Sequence, residues 1–419
     1  MNKQLGITTG PWDSIGEQML TAVAIRIELP PSKHALLRER KEAIEKHLER
    51  DGSPLKGRVR LFYQQGSVAI GATIRAKFRF EGFDIDIIVE LLDQGLTPFD
   101  ALNLLYIAMK GEPGSRYYKM TERQTRCVTV HYSDGMHLDL SPSELIDPGD
   151  PRRSYIFHSK PGEPRSKDKR VLSNSYAFVQ VYNERCPVDK LFQDRYSRQV
   201  LARDVDYRVL MKDADSEPVP AHSTVVGGKS AVTVALQLLK RNRNIRWGKR
   251  DRRMPASVMY SCLSLEVAEA GRTIGQNLRI IAEHILNRLE RAKSVGRLIH
   301  VENPCCNGDV FTDRWPESPG AQDILIQDMK LFLHQLAVLT DDRRSMKERR
   351  DALKAMFGED LGKEVFNEIM EERGSAIQTG AHLLGAGGGV LGAPAVAKPQ
   401  PKTPQNTFYG TKWHRKQNR

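Results

Sequence analysis

The run Phe83-Asp84-Ile85-Asp86-Ile87-Ile88-Val89 restricts the fold of this chain more than any other segment. It is β-branched and apolar except for two acids spaced by two. Alternate strand side chains share a face, so Asp84 and Asp86 point the same way. Two like charges on one face of a buried strand repel and cost desolvation unless a cation neutralises them. A hard cation with oxygen ligands, most simply Mg²⁺, meets that need and leaves room for phosphate oxygens. Upstream, Gln65-Gly66-Ser67 forms a turn whose backbone N–H groups and hydroxyl suit those phosphates. A solvated edge strand and an ordinary turn are the competing readings of the two segments.

A third acid in matching context favours the metal reading. Cys127-Val128-Thr129-Val130-His131-Tyr132 is a strand pattern, Ser133-Asp134-Gly135 a tight turn, and Met136-His137-Leu138-Asp139-Leu140 the returning strand. Asp139 lies opposite the face of Met136, Leu138 and Leu140, where it joins the first pair. Three carboxylates on neighbouring strands can hold two Mg²⁺ ions, one at an attacking hydroxyl and one at a triphosphate, with Mn²⁺ an acceptable substitute. His137, beside Asp139, is taken to face the other way and is assigned no role. His284, alone on a helical stretch, is taken as packed or solvated, and Tyr117 and Tyr118 as turn-surface residues.

The order Gly-Ser, Asp-x-Asp, then a later single Asp resembles the polymerase-β-like nucleotidyltransferase superfamily. Leu236-Gln237-Leu238-Leu239-Lys240-Arg241, Pro255-Ala256-Ser257, Asn303-Pro304 and Phe311-Thr312-Asp313-Arg314-Trp315 narrow the resemblance to the bacterial CD-NTases. These are relatives of cyclic GMP–AMP synthase and oligoadenylate synthase that make cyclic oligonucleotide signals in anti-phage (CBASS) defence. The resemblance spans roughly residues 30 to 372. It implies catalytic, metal-binding Asp84, Asp86 and Asp139, and a donor triphosphate held by Gly66, Ser67, Lys240 and Ser257, with Gln65 shaping the turn. It implies ATP and other nucleoside triphosphates as substrates and pyrophosphate as leaving group. Val258 stands where the animal relative places an aromatic ring against the donor base.

The residues agree on Lys240 and Ser257 as far as they go. Ala231, Val234, Ala235, Leu238 and Leu239 follow helical spacing, which leaves Lys240 at the border of a buried face with its ammonium able to reach a cleft. Ser257 opens the next apolar helix after Pro255, where a serine commonly serves as a cap. The basic knot from Lys240 to Arg253 otherwise suits a solvated helix end, since cations favour helix C-termini.

At 419 residues the chain exceeds one ordinary core, and a 40% apolar fraction supports globular folding. No run is long and apolar enough to span a bilayer, and five cysteines suit no disulfide framework, so a reducing cytoplasm is the expected home. The net charge is +12, but Lys398, Lys402, Lys412, Arg415, Lys416 and Arg419 supply half of it in an acid-free tail. The remainder favours anionic substrates without requiring a nucleic acid.

The expected architecture is α/β (α+β): a polymerase-β-like lobe with a mixed sheet, packed on a helical, oligoadenylate-synthase-like C-terminal lobe. Helices are expected over 13–29, 33–50, 98–109, 231–243, 258–270, 272–293, 321–339 and 346–372, and strands near 59–65, 74–91 and 127–140. Residues 148–170 are expected to form a long polar loop and 213–228 a separator. The domains are then 1–215, 216–373 and a flexible Gly/Pro/Lys-rich tail, 374–419. The aromatic-basic cluster Phe408 to Lys416 suits docking to a regulatory or conjugating protein. The function expected is Mg²⁺-dependent synthesis of a cyclic di- or trinucleotide. A linear oligonucleotide synthase, an RNA-tailing enzyme and a non-catalytic nucleic-acid sensor are the alternatives.

Overall fold

Period-two alternation along apolar strands builds the sheet that carries the acids. In the computed structural model the residues described are 11–29, 31–75, 84–147, 149, 152–186, 188–203, 229–378, 383–384 and 390–391. The strands are β1 (Val59–Gln64), β2 (Asp84–Leu91), β3 (Thr121–Arg123), β4 (Val128–His131), β5 (His137–Leu145), β6 (Ser154–His158) and β7 (Lys169–Ser173). They form one mixed sheet in the order β1-β2-β5-β4-β3, with β6 paired to β5 and β7 to β6. β2 and β5 run parallel, and the other pairs are antiparallel.

One face of this sheet is a core. Ile85, Ile87, Val89 and Leu91 of β2 join Leu138 and Leu140 of β5 and Val128 and Val130 of β4, all buried. Helix α2 (Pro31–Leu48) and the later helix Pro98–Lys110 cover them. That later helix starts where Thr97 accepts the Asp100 N–H at 3.2 Å with Pro98 in the first turn, and stops at Gly111, φ 66°. Each aliphatic side chain sunk here contributes about 1.5–3 kcal/mol. The opposite face of β2 and β5 carries Asp86, Glu90, His137, Asp139, Ser141 and Ser143.

A second core is helical. With the short α3 (Gly66–Ala69) numbered after α2, Pro98–Lys110 is α4. The remainder are α5 (Ser175–Arg185), α6 (Lys190–Arg203), α7 (Ala231–Trp247), α8 (Ser257–Glu266), α9 (Ile274–Ser294), α10 (Pro319–Thr340), α11 (Met346–Phe357) and α12 (Glu359–Gln378). Helix α1 (Ile15–Ile27) belongs to this core, with Met19, Leu20, Ala22, Val23, Ala24, Ile25 and Ile27 all buried. A helix buried over most of its length needs partners on several sides, and α1 finds them in α6, α7, α9, α10 and α11. The chain from Met1 to Met370 is one compact unit, and Glu371 to Arg419 is another, in which β8 (Leu383–Leu384) pairs with β9 (Val390–Leu391).

Glu17 of α1 shows how tightly this core is tied. Its Oε1 accepts the Thr273 hydroxyl at 2.5 Å and the Gly275 N–H at 2.7 Å, at the start of α9. A carboxylate there complements the orphan donors and the dipole of the helix. A Cβ on Gly275 would lie 2.6 Å from that oxygen, so only glycine admits the contact. Burial raises the Glu17 carboxyl above its usual value, against the opposing hydrogen bonds. A carboxyl raised by folding favours the folded state below its unfolded value, and that advantage is lost as pH rises through the folded value. Glu17→Gln keeps the acceptor and is expected to melt near wild type without this pH slope. Glu17→Ala leaves the two donors unmet and is expected to cost about 1–3 kcal/mol, read by thermal unfolding at several pH values.

Three expectations change here. The polar stretch 148–170 contains β6 and leads into β7, because the apolar run Tyr155-Ile156-Phe157 forms a strand whose Phe157 is fully buried. The helix expected over 346–372 is two helices, broken at Gly358, φ 107°, whose missing side chain admits Ile245 Cδ1 at 3.1 Å from the Cβ position. Tyr117 is buried rather than at a turn surface, its ring against His47. Residues 76–83, the separator 213–228 and the cluster Phe408 to Lys416 lie outside the described residues. Among the described residues no helix is long and apolar enough to cross a membrane.

Candidate active site

The acid-bearing face is assembled by strand register. Asp86 of β2 and Asp139 of β5 are direct partners in the parallel pair, so their side chains stand side by side. Asp84 opens β2 opposite His137, and its side chain lies outside the described residues. On the other flank Thr129 of β4 pairs with Asp139 and donates its hydroxyl to Oδ1 at 2.6 Å, which fixes the carboxylate's orientation. Cys127 Sγ lies 3.9 Å from Thr129 Oγ1. Burial pushes the Cys127 thiol up to about 12, and the charges of Asp139 and Asp86 add to the effect. One thiol thus feels both carboxylates, as a convergent site requires.

β1 delivers the Gly-Ser turn to Asp86. The Gln65 N–H donates to the Asp86 carbonyl at 2.9 Å, and the chain then enters α3 with Gly66 at φ 65°. A Cβ on Gly66 would sit 2.3 Å from Asp86 Oδ2. Glycine is therefore needed twice, for the left-handed backbone and for the carboxylate's approach. The Ser67 carbonyl accepts the Ala72 N–H at 2.8 Å, and its hydroxyl accepts from Thr73 Oγ1 at 3.4 Å.

Helix α7 braces the segment after Ser67. Lys240 is buried and donates from Nζ to the Ala72 carbonyl at 2.7 Å, while Gln237 Nε2 donates to the Thr73 carbonyl at 2.8 Å. The lysine expected to reach into a cleft therefore lies against the turn's own backbone. Ser257 is the first residue of α8, with Ala256 as the N-cap, so it is not the cap its position suggests. α8 packs against α3, which brings its start into the neighbourhood of Gly66 and Ser67.

His137 requires a correction. It is two residues from Asp139 on a regular strand and so shares the acid face, not the opposite one. Its Nδ1 is 2.8 Å from His131 Nδ1, and His131 Nε2 is 2.9 Å from a Glu122 carboxylate oxygen. Thr129 and Cys127 were not anticipated either. The tight Ser133-Asp134-Gly135 turn sets Thr129 opposite Asp139, so hairpin register was the signal for both. His284 Nε2 lies 2.7 Å from a Glu266 carboxylate oxygen, in keeping with a packed residue.

The basic knot of α7 is mostly engaged locally. Arg243 donates to the Pro255 carbonyl, Arg246 to Gln335, and Arg250 grips Asp328 through two hydrogen bonds. Asn303 ties its loop to the start of α5, since its Nδ2 donates to Asp309 Oδ2 at 2.8 Å and to the Asn174 carbonyl at 2.9 Å.

A divalent cation fits the donor set on this face. Its groups are hard oxygens, and the space beside Asp86 is one that a single Cβ would fill. Among the described residues no three His, Cys, Asp or Glu side chains form a ready metal cluster, and the described pair is Asp86 and Asp139.

Residues 16–149 match the family model described as the Second Messenger Oligonucleotide or Dinucleotide Synthetase domain. The chain is 34% identical over 382 residues to a cyclic dinucleotide synthase, CdnG, of Bradyrhizobium diazoefficiens, covering 91% of this chain and 90% of the relative. It is 26% identical over 411 residues to a c-di-GMP synthase of Roseivirga ehrenbergii, covering 94% and 97% respectively. The solved structure of the Bradyrhizobium CD-NTase CdnG in complex with GTP superposes with a TM-score of 0.74 at 33% identity, covering 86% of this chain and 99% of that one.

Proposed function

The chain belongs to the CD-NTase family of second-messenger oligonucleotide and dinucleotide synthetases, and we propose that its acid-bearing face joins two purine nucleoside triphosphates into a cyclic dinucleotide. It is a nucleotidyltransferase that makes cyclic oligonucleotides. The names of both relatives favour a two-membered ring, and the GTP bound by CdnG favours guanine in at least one position. ATP is the second candidate substrate. Anti-phage signalling is the proposed setting of the product, and docking of a regulatory protein the proposed role of the tail.

The observation that carries this reading is the pairing of Asp86 with Asp139 beneath a turn whose Gly66 admits only hydrogen next to Asp86. Asp84, Asp86 and Asp139 would hold the divalent metal, with Mg²⁺ the physiological choice and two ions the proposed number. A metal held there would lower the pKa of the attacking hydroxyl and offset negative charge on the phosphates.

The chain's own groups do the remaining work. Gly66 and Ser67 present backbone N–H groups and a hydroxyl to the donor β- and γ-phosphates, with Gln65 shaping the turn through its N–H bond to the Asp86 carbonyl. Lys240 places positive charge beside that turn and keeps its backbone rigid through Ala72. Ser257 adds a hydroxyl from α8. Thr129 fixes Asp139 so that its orientation is set before the acceptor arrives. The first turnover yields a linear intermediate, and a second in the same cleft closes the ring. The two hydrophobic cores support a nucleotidyltransferase lobe over about 1–215 and a helical lobe over 216–373, with α1 contributing to the latter's core.

Incubation of the full chain with labelled GTP and ATP and Mg²⁺, followed by phosphatase and mass spectrometry, tests the proposal. The expected product resists phosphatase and has the mass of a cyclic dinucleotide. A phosphatase-sensitive ladder would make the protein a linear synthase instead.

A further inference from the structure

Beyond Asp139, away from the Gly-Ser turn, the sheet meets a cluster of arginines that belongs to neither the metal face nor the phosphate turn. The β3–β4 connection is tight, with the Gln124 N–H donating to the Cys127 carbonyl at 2.9 Å. It is clamped by the Ser159 N–H, which donates to the Thr125 carbonyl at 3.0 Å. Arg126 projects from this connection, donates from Nε to His158 Nδ1 at 3.2 Å and pairs with Asp313. Arg253, after α7, pairs with Glu317 at 2.9 Å. Each of these two cations has its acid.

Arg314 does not. Its backbone is held on both sides. Phe311 donates its N–H to the Val301 carbonyl at 2.8 Å and packs its ring on Phe178. Trp315 is 1% exposed with its ring edge-on to Trp247. Between these anchors the Arg314 side chain stays open to solvent and makes no hydrogen bond among the described residues. Its chain neighbour Asp313 pairs with Arg126, the residue before Cys127; Cys127 Sγ lies 3.9 Å from Thr129 Oγ1, and Thr129 donates to Asp139 at 2.6 Å. Partial burial and the charges of Arg126 and Arg253 hold its guanidinium below its ordinary value, against the opposing effect of Asp313 and Cys127.

A fixed-backbone arginine with no hydrogen bond among the described residues, in the loop that Asp313 ties to Arg126 one residue before Cys127, suits a ligand bearing paired hydrogen-bond acceptors. The nucleotide lying over Asp139 offers two such groups: the O6/N7 edge of guanine and its phosphates. We infer that Arg314, positioned by the Arg126–Asp313 pair, contacts the nucleotide on the Asp139 side of the cleft and sets its affinity. The inference rests on the nucleotidyltransferase reading, and it adds a specificity-determining residue contributed by the loop before α10 rather than by the sheet.

The test compares wild type, Arg314→Ala, Arg314→Lys and Arg314→Gln with Arg252→Ala, an exposed basic change as control. KM and kcat for GTP and ATP are read by pyrophosphate release, and GTP, ATP and 7-deaza-GTP affinities by calorimetry with Ca²⁺. Arg314→Ala is expected to weaken nucleotide binding about tenfold or more, with kcat changed only a few-fold and thermal stability unchanged. A loss confined to GTP, not restored by lysine and reproduced in wild type by 7-deaza-GTP, assigns the contact to guanine. An equal loss for GTP and ATP that lysine largely restores assigns it to phosphate. KM and affinity within twofold of wild type for both nucleotides would overturn the inference, as would an Arg314→Gln variant whose only defect is a lower melting temperature. Inactive wild type would count against the nucleotidyltransferase reading alone, because the calorimetric comparison still decides the role of Arg314.

Discussion

Asp86→Asn is expected to lower product formation by about 10³-fold or more while leaving the fold intact. Asparagine keeps the shape of the side chain, so Gly66 still packs against it and the Gln65 N–H still reaches the main-chain carbonyl at 2.9 Å. What disappears is one of two adjacent negative charges. Metal-assisted transfer draws several kcal/mol of transition-state stabilisation from such ligands, and each 1.36 kcal/mol is tenfold in rate, so about 4 kcal/mol accounts for the loss. Stability is expected to hold or rise, because Asp86 and Asp139 repel one another without the ion. Chromatography of the products together with a melting curve reads both quantities. Undiminished product in a folded Asp86→Asn protein would remove Asp86 from the metal site.

Gly66→Ala carries the second large effect, and its cause differs. The added methyl would meet Asp86 Oδ2 at 2.3 Å, Cγ at 3.1 Å and Cβ at 3.3 Å, in a backbone at φ 65° that disfavours any side chain. The left-handed conformation alone costs about 1–2 kcal/mol for a non-glycine residue. The clash must also push the turn away from the carboxylate, or the carboxylate away from Asp139. Misplacement of that order costs about 10²-fold in rate, so kcat is expected to fall at least that far and the melting temperature by a few degrees. The double variant Gly66→Ala/Asp86→Asn separates turn from carboxylate. If the methyl acts by displacing Asp86, the two losses in activity fall well short of additive. Full additivity would mean that the turn matters independently of the acid.

Much of this site is legible in the sequence because strands reveal their faces through alternation. The pairing of Asp86 with Asp139 follows from two short apolar runs whose acids fall on the side away from the core. The same rule places His137 beside the acids, and the expectation for that residue failed by ignoring it. Thr129 was likewise within reach, since the register of a tight hairpin follows from its turn.

Other features depend on contacts between distant segments. The apolar run of α1 from Ala22 to Ile25 marks it as buried, but nothing in residues 15–27 indicates that it sits among helices that begin more than 150 residues later. The long stem of Lys240 could point to a cleft or fold onto backbone, and only the position of Ala72 decides. The strand β6 inside 148–170, which pairs with β7, was hidden by the Gly, Pro and Arg residues around it, while Phe157 supplied the strong core signal. The isolation of Arg314 is invisible in sequence, although the residue lies in the Phe311 to Trp315 segment that carries the family resemblance. It becomes apparent once Arg126 and Arg253 are each matched with an acid.

A crystal of the full chain grown with Mn²⁺ and a non-hydrolysable GTP analogue tests the metal assignment most directly, through the anomalous signal of the ion. A manganese peak within about 2.0–2.4 Å of carboxylate oxygens of both Asp86 and Asp139, bridging to the triphosphate, is the result expected. A nucleotide bound in the cleft with manganese on its phosphates alone, and neither aspartate in reach of it, would contradict the account.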